Sequence, residues 1–133
     1  MTDQNESYAY FTITGDFDPS DITEKVGTQP TESWKKGDLH GKRQIEYRFS
    51  RWSLRSRLPE TNCLEEHIAD VLEQISVNKE RFKEVSVQYN GCMQLVGIFN
   101  VDYPGLHFEH KMTERLAEFC LSVDFDFYHL WET

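Results

Sequence analysis

The sequence predicts a single α+β domain of two layers, in which a largely antiparallel sheet carries about three helices on one face. Short segments that alternate apolar and polar residues, as strands do, are interspersed with segments whose apolar residues recur at helical spacing. Turn signals join several strands directly, which favours antiparallel pairing. The chain has 133 residues and no Pro- or Gly-rich linker, so one core is expected.

The first elements are a strand and a short helix. Residues 1–7 are polar and are predicted to form a flexible tail, with the domain spanning residues 8–133. Residues 8–14 are rich in aromatic and β-branched residues, which is typical of a strand. Asp18 followed by Pro19 predicts the start of a helix, and Gly27 predicts its end.

Residues 43–57 predict a long strand whose apolar residues change parity. Ile45, Tyr47 and Phe49 are odd-numbered, whereas Trp52 and Leu54 are even-numbered. A bulge near residues 50–51 would return both sets to one face. A strand buried on both faces would explain the pattern equally well.

The second half of the chain predicts two further helices and several strands. Residues 62–77 have helical periodicity, with Asn62 as the expected cap and Glu65 completing a capping box. Asn90-Gly91 predicts a tight hairpin between strands at residues 85–89 and 92–101. A short strand at residues 106–109, a helix at 111–121 and a closing strand at 123–128 complete the order.

Basic residues are concentrated in one segment of an acidic chain. The net charge is −9, yet residues 35–57 hold eight basic and two acidic residues, a net +6, so the remainder carries −15. Arginine beside tryptophan can hold a planar anion by paired hydrogen bonds and stacking. Alternatively, the protein's own carboxylates pair with the arginines and the indoles fill the core. The candidate ligand-binding residues are Trp34, Lys35, Asp38, Arg48, Trp52 and Arg55.

No motif predicts a cofactor, a metal or a catalytic residue. His107 and Glu109 would share a strand face, but no motif supplies a third metal ligand. Asp124 and Asp126 would also share a face, and alternation with Phe125 and Phe127 favours a solvated surface over acid–base chemistry. Three scattered cysteines do not form a disulfide framework.

Charge and hydropathy narrow the classes of partner. The negative net charge disfavours nucleic acid and anionic membranes and would attract a basic protein partner. Alternatively, the net acidity only keeps a small protein soluble. No apolar segment approaches membrane-spanning length, and the expected location is cytoplasmic.

A series of short motifs resembles a family of small bacterial proteins, domain-of-unknown-function family 4279. The motifs are, in order, Ile13-Thr14-Gly15, Asp18-Pro19-Ser20-Asp21-Ile22-Thr23, Gly27, Pro30-Thr31, Trp34-Lys35-Lys36-Gly37-Asp38, Trp52-Ser53-Leu54, Ser56, the helix over residues 64–72, and Asp124-Phe125-Asp126-Phe127-Tyr128. The resemblance covers nearly the whole chain. It implies a bacterial source and a small, free-standing domain, and it implies no activity.

Three classes of function remain as expectations. The first is a non-enzymatic interaction protein, such as an immunity protein that neutralises a basic toxin. The second is a sensor that binds a small anionic or planar ligand through the Trp- and Arg-rich segment. The third, ranked last, is an enzyme without a recognisable motif.

Overall fold

A computed structural model describes residues 4–130 as seven strands and four helices. The elements are β1 (Glu6–Gly15), α1 (Pro19–Val26), β2 (Glu32–Trp34), β3 (Leu39–His40), β4 (Ile45–Glu46), β5 (Ser50–Arg55), α2 (Leu64–Ser76), α3 (Lys79–Tyr89), β6 (Cys92–Phe99), α4 (His110–Glu118) and β7 (Ser122–His129). None of the helices within this part of the chain is long and apolar enough to cross a membrane.

Five strands form one mixed sheet in the order β2-β5-β1-β6-β7, and β3 pairs with β4 in a separate hairpin. β1 is the central strand and is antiparallel to both neighbours, with Phe11 opposite Leu54 on one side and Met93 on the other. β6 and β7 are parallel, because α4 carries the chain back between them. The predicted α+β fold is thus confirmed, with one parallel pair and a fourth helix added.

The helices cover one face of the sheet, where a single core forms. Ala9, Phe11 and Ile13 point from β1 into this core, and the rings of Trp52 and Phe82 pack against Phe11 from β5 and α3. All five side chains are almost completely buried. Because strand residues alternate between faces, the residues between them point away from the helices.

The predicted limits of α1 are confirmed. The Asp18 carboxylate accepts a hydrogen bond from the Ser20 amide at 3.0 Å, and Pro19 occupies the first turn. Gly27 has φ +73° at the C-cap, a left-handed conformation that glycine adopts without a steric penalty. The start of α2 is one residue later than predicted: Cys63 is the N-cap, and Glu66 accepts from its amide and thiol.

The predicted hairpin at Asn90-Gly91 is wrong, because the preceding segment is helix α3. Phe82, Val85 and Ser86 face the core at helical spacing, whereas Val87 is 61% exposed. Of the two turn residues, Asn90 has a positive φ and Gly91 does not, and Asn90 caps the C-terminus of α3. Its role is therefore to end a helix rather than to turn a hairpin.

Three other predicted elements need correction. Residues 43–57 form β4, a connecting loop and β5, because the chain leaves the main sheet to make the β3–β4 hairpin; the parity change falls on this break. Residues 106–109 are irregular, so His107 and Glu109 share no strand face. β1 begins at Glu6 and Ser7 is buried, so the domain starts earlier than residue 8; residues 1–3 of the predicted tail lie outside the described part.

A buried polar cluster joins α2 to the end of β5. His67 is fully buried, and its Nδ1 lies 2.6 Å from the Ser56 hydroxyl. The Asp70 carboxylate accepts from the Arg57 amide at 2.8 Å and from its guanidinium at 2.7 Å. Burial alone raises the pKa of Asp70, but the hydrogen bonds from Arg57 outweigh it and leave the pKa below its usual value.

We expect His67 to make the fold sensitive to mild acid. Burial lowers the pKa of His67, so between about pH 6.5 and that lower value the unfolded chain binds more protons than the native one. The free energy of unfolding should therefore fall as pH falls below about 6.5. Urea denaturation of the wild type and His67→Gln at pH 7 and pH 5 measures this; an equal decline in both proteins would contradict the assignment.

We expect Gly91→Ala to destabilise the protein by about 1–3 kcal/mol, because the site is already filled. A Cβ at Gly91 would lie 2.7 Å from Ser86 Cβ and 3.0 Å from Ser86 Cα, which belongs to the α3 backbone. Gly105→Ala is the matched control, since no atom of the described residues lies within 4 Å of its Cβ position. The denaturant midpoints of the two variants measure the difference. Equal midpoints would show that α3 shifts to accommodate the new Cβ without loss of stability.

Candidate functional site

The face of the sheet opposite the helices is not covered by any element of residues 4–130, and we call it the open face. Its side chains come from alternate residues of five strands. They are Glu32 and Trp34 on β2, Arg51, Ser53 and Arg55 on β5, Glu6, Tyr8, Tyr10, Thr12 and Thr14 on β1, Cys92, Gln94, Val96 and Ile98 on β6, and Ser122, Asp124, Asp126 and Tyr128 on β7.

The structure does not bring the six predicted ligand-binding residues together. Trp52 is the clearest case of a residue that lies elsewhere. Its indole is fully buried on the helix side, where Nε1 donates to the Thr23 hydroxyl at 3.0 Å. Arg55 is three residues later on the same strand and therefore points to the open face. Trp52 is a core residue, as the alternative interpretation of the sequence held.

Lys35 and Asp38 form a turn that closes over the end of β2. The Asp38 carboxylate accepts from the Lys35 amide at 3.0 Å, and the Asp38 amide donates to the Lys35 carbonyl at the same distance. Gly37 sits at φ +94° between them. The Lys35 ammonium lies 3.8 Å from Asp18. These contacts give the Trp-Lys-Lys-Gly-Asp motif a structural role.

Arg48 lies in the exposed loop before β5 and is separate from Arg55. It borders an open hollow together with Asp16 and Lys36, next to the small hairpin. The Arg55 guanidinium lies on the open face, 3.7 Å from the centre of the Tyr8 ring, and donates to Glu60 at 2.7 Å. Of the predicted residues, Trp34 and Arg55 thus share the open face.

Arg51 joins them there, and sequence reasoning missed it. Arg51 lies opposite Trp34 in the β2–β5 pairing, with its guanidinium carbon 5.2 Å from the centre of the indole. The parity of Arg51 and Arg55 would have indicated a shared face, had the start of β5 been known. Arg48 was predicted to share a face with Arg55 because one strand with a bulge near residues 50–51 was expected over residues 43–57.

Arg51 and Arg55 border a shallow cleft of about 220 Å³, which we call the Arg51 cleft. Its lining comprises Tyr8, Tyr10, Thr31, Glu32, Arg51, Ser53 and Arg55. The floor is firm, because the Ser53 and Thr12 hydroxyls are buried and lie 3.0 Å apart.

Arg51 is the unmatched charge of the cleft. No carboxylate within the described part of the chain forms a salt bridge with it, and its Nε is buried without a hydrogen-bond partner there. Burial raises the pKa of Tyr10, while the charge of Arg51 beside it acts in the opposite direction. Glu32 lines the cleft but forms no salt bridge with Arg51. The cleft therefore contains a strong hydrogen-bond donor, the Arg51 guanidinium, and an exposed acceptor, the Glu32 carboxylate.

A more apolar concavity of about 350 Å³ lies between the start of α2 and the loop after β6. Leu64, Phe99 and Phe127 contribute to its lining. Its nearest carboxylate, Glu65, accepts from the His107 amide at 3.2 Å. No group of three or more His, Cys, Asp or Glu side chains that could hold a metal occurs in residues 4–130.

Comparison with known families matches residues 5–130 to the family model described as "Domain of unknown function (DUF4279)". The match covers nearly the whole chain. The protein belongs to the DUF4279 family. No curated protein and no solved structure matches it.

The cysteines of this DUF4279 protein lie in different electrostatic surroundings. Cys63, Cys92 and Cys120 are all free thiols. Burial, with a smaller contribution from the neighbouring Asp124 carboxylate, raises the pKa of Cys92 to about 11. Cys120 is exposed at the end of α4.

We expect iodoacetamide at pH 8 to modify Cys120 well before Cys92. A pKa near 11 leaves about 100-fold less thiolate than the ordinary value of a cysteine near 9. Peptide mapping by mass spectrometry over time measures both rates. Asp124→Asn should accelerate the labelling of Cys92 and leave that of Cys120 unchanged; labelling of Cys92 at the rate of Cys120 in the wild type would contradict the pKa assignment.

Proposed function

We propose that this DUF4279 protein is a non-enzymatic binding protein whose Arg51 cleft takes a small planar carboxylate. The observation that carries the proposal is the unmatched guanidinium of Arg51. It is half-buried against Trp34, and within residues 4–130 it has no carboxylate partner. A partly desolvated cation without a counter-charge favours an anion beside it.

The chemistry of the lining supports a flat ligand. A guanidinium offers paired donors that match the two oxygens of a carboxylate. Tyr8 and Tyr10 supply aromatic surface in the lining, and the indole of Trp34 lies beside the Arg51 guanidinium. The volume of about 220 Å³ is below the range of about 300–1,000 Å³ typical of drug-sized ligands, so a single ring is the expected size.

Glu32 supports a further restriction on the ligand. Its carboxylate lines the same cleft and repels a second negative charge. It also accepts hydrogen bonds, which favours a hydroxyl or amino group on the ring. A monoanionic aromatic acid that carries such a donor combines both features.

We expect 4-hydroxybenzoate to raise the melting temperature of the wild-type protein, and the neutral 4-hydroxybenzamide to raise it much less. Arg51→Gln should abolish the shift, because it removes the charge and the paired donors. Arg48→Gln is the matched control, since it removes an arginine of the same segment that lies outside the cleft. Differential scanning fluorimetry at low salt and isothermal titration calorimetry measure the effect.

Three results would refute this function. They are no shift with the acid at millimolar concentration, an equal shift with the amide, or an equal shift in Arg51→Gln and the wild type. We expect the fold to be retained in Arg51→Gln, because Arg51 lies outside the core. Circular dichroism of each variant checks this.

The second candidate function is an interaction or immunity-type protein that neutralises a basic partner. The net charge of −9 supports it, and so does an acidic strand, β7, at the edge of the sheet. The proposal includes a cytoplasmic location in a bacterium, which the three free thiols suit.

A further inference from the structure

β7 lies at the edge of the five-stranded sheet. It has eight residues and follows β6 at the end of the sheet order. Within residues 4–130, no strand pairs with its outer side. An unpaired strand of this length offers a ready row of donors and acceptors for another strand.

The register fixes which backbone groups point outward. The amides of Ser122 and Leu130 donate to the carbonyls of Gly91 and Phe99, at 3.0 and 2.9 Å. Successive residues of a strand direct their backbone groups to opposite sides. The even-numbered residues therefore bond β6, and the amides and carbonyls of Val123, Phe125 and Phe127 point away from the sheet.

The helix-side surface of β7 is apolar and incompletely covered. Val123 packs against the core, but Phe125 is 56% exposed and Phe127 is 39% exposed. The centres of their rings lie 5.6 Å apart, and the ring centre of Phe127 lies 5.1 Å from that of Phe99. Phe127 borders the 350 Å³ concavity, so the exposed apolar surface continues past the strand.

The other surface of β7 is acidic. Asp124 and Asp126 lie on the open face, and the Tyr128 hydroxyl donates to Asp126 at 3.0 Å. β7 contains no proline and no lysine, the residues that commonly protect an edge from pairing. The edge thus combines an unpaired backbone, exposed rings on one side and two carboxylates on the other.

We propose that β7 is the docking site for a basic strand of another protein, which extends the sheet by main-chain hydrogen bonds. Its residues would alternate between Lys or Arg, facing Asp124 and Asp126, and apolar residues, facing Phe125 and Phe127. Directly opposed side chains of unlike charge stabilise such a pair. The net charge of −9 also attracts a basic partner before contact.

Charge argues against a second copy of this chain as the occupant. Two β7 strands in an antiparallel pair with both helix layers on the same side would place open-face residues opposite one another. The open-face residues of β7 are Ser122, Asp124, Asp126 and Tyr128, and none is basic. Carboxylates would face carboxylates or neutral groups, and like charges directly opposed are destabilising.

The inference deepens the second candidate function and is independent of the Arg51 cleft. The cleft lies around β2, β5 and β1, whereas the docking strand is at the other end of the sheet. Variants of β7 should therefore retain the melting-temperature shift with 4-hydroxybenzoate, if that ligand binds. Loss of one activity without the other separates the two proposals.

The test uses an octapeptide of alternating lysine and valine, capped at both ends, and a glutamate–valine peptide of equal length. In ¹H–¹⁵N spectra of the full-length protein, the lysine peptide should shift the amides of Val123, Phe125 and Phe127 most, and the glutamate peptide should shift none of them. Asp124→Asn combined with Asp126→Asn should weaken binding of the lysine peptide about tenfold while keeping the backbone intact.

Two substitutions of Phe125 distinguish the contribution of its backbone amide to peptide binding from the contribution of its ring. Phe125→Pro removes an outward amide, which an edge strand tolerates, and should abolish binding. Phe125→Ala removes the ring, keeps that amide, and should retain weakened binding. The aspartate double variant, whose backbone is unaltered, decides the matter if the proline variant fails to fold.

The proposal is overturned if the lysine peptide does not bind or binds with shifts elsewhere. It is also overturned if binding is unchanged in the aspartate double variant. Concentration-dependent dimerisation of the wild type with shifts confined to β7 would assign the edge to a second copy and refute the basic partner.

Discussion

The contact among the rings of Phe11, Trp52 and Phe82 joins the two central strands to the helical layer. Their centres lie 5.5 to 6.1 Å apart, and all three side chains are fully buried. Aromatic rings of this size contribute much of the stability of a small core. Because the contact uses one face of β1 and β5, the residues between them point to the open face. The Arg51 cleft is a consequence of this one-sided packing.

The same asymmetry explains the two ends of the open face. β5 contributes arginines and β7 contributes aspartates, and the tyrosines of β1 lie between them. Arg51 lies beside an aromatic ring, whereas Arg57, beyond the end of the strand, forms a salt bridge with the carboxylate of Asp70. The basic segment of the sequence is therefore divided among a turn, a hairpin, a cleft and an ion pair. The residues do not converge on one site, because much of the segment leaves the main sheet in the β3–β4 hairpin and only its β5 part lies in that sheet.

Elements defined by adjacent residues could be predicted from the sequence, and elements defined by distant pairing could not. Asp18, Pro19 and Gly27 fix α1 through local caps, so its limits were predicted correctly. α3 was missed because it buries only Phe82, Val85 and Ser86, too few apolar residues for a clear period. The start of β5 depends on pairing between Ser50 and Gly15, 35 residues earlier. Trp34 and Arg55 were identified as candidates, but Arg51 required that register.

The position of β1 has a consequence for synthesis on the ribosome. The central strand is made first, but its partners β5 and β6 end at Arg55 and Phe99. Until residue 99 has emerged, β1 can pair on one side only. Its core-facing side chains stay uncovered until α2 and α3 have been made. Long-range pairing of this kind slows folding and leaves strand edges open to other chains. A nascent chain of this protein therefore leaves the apolar face and one edge of β1 uncovered until α2, α3 and β6 have been made.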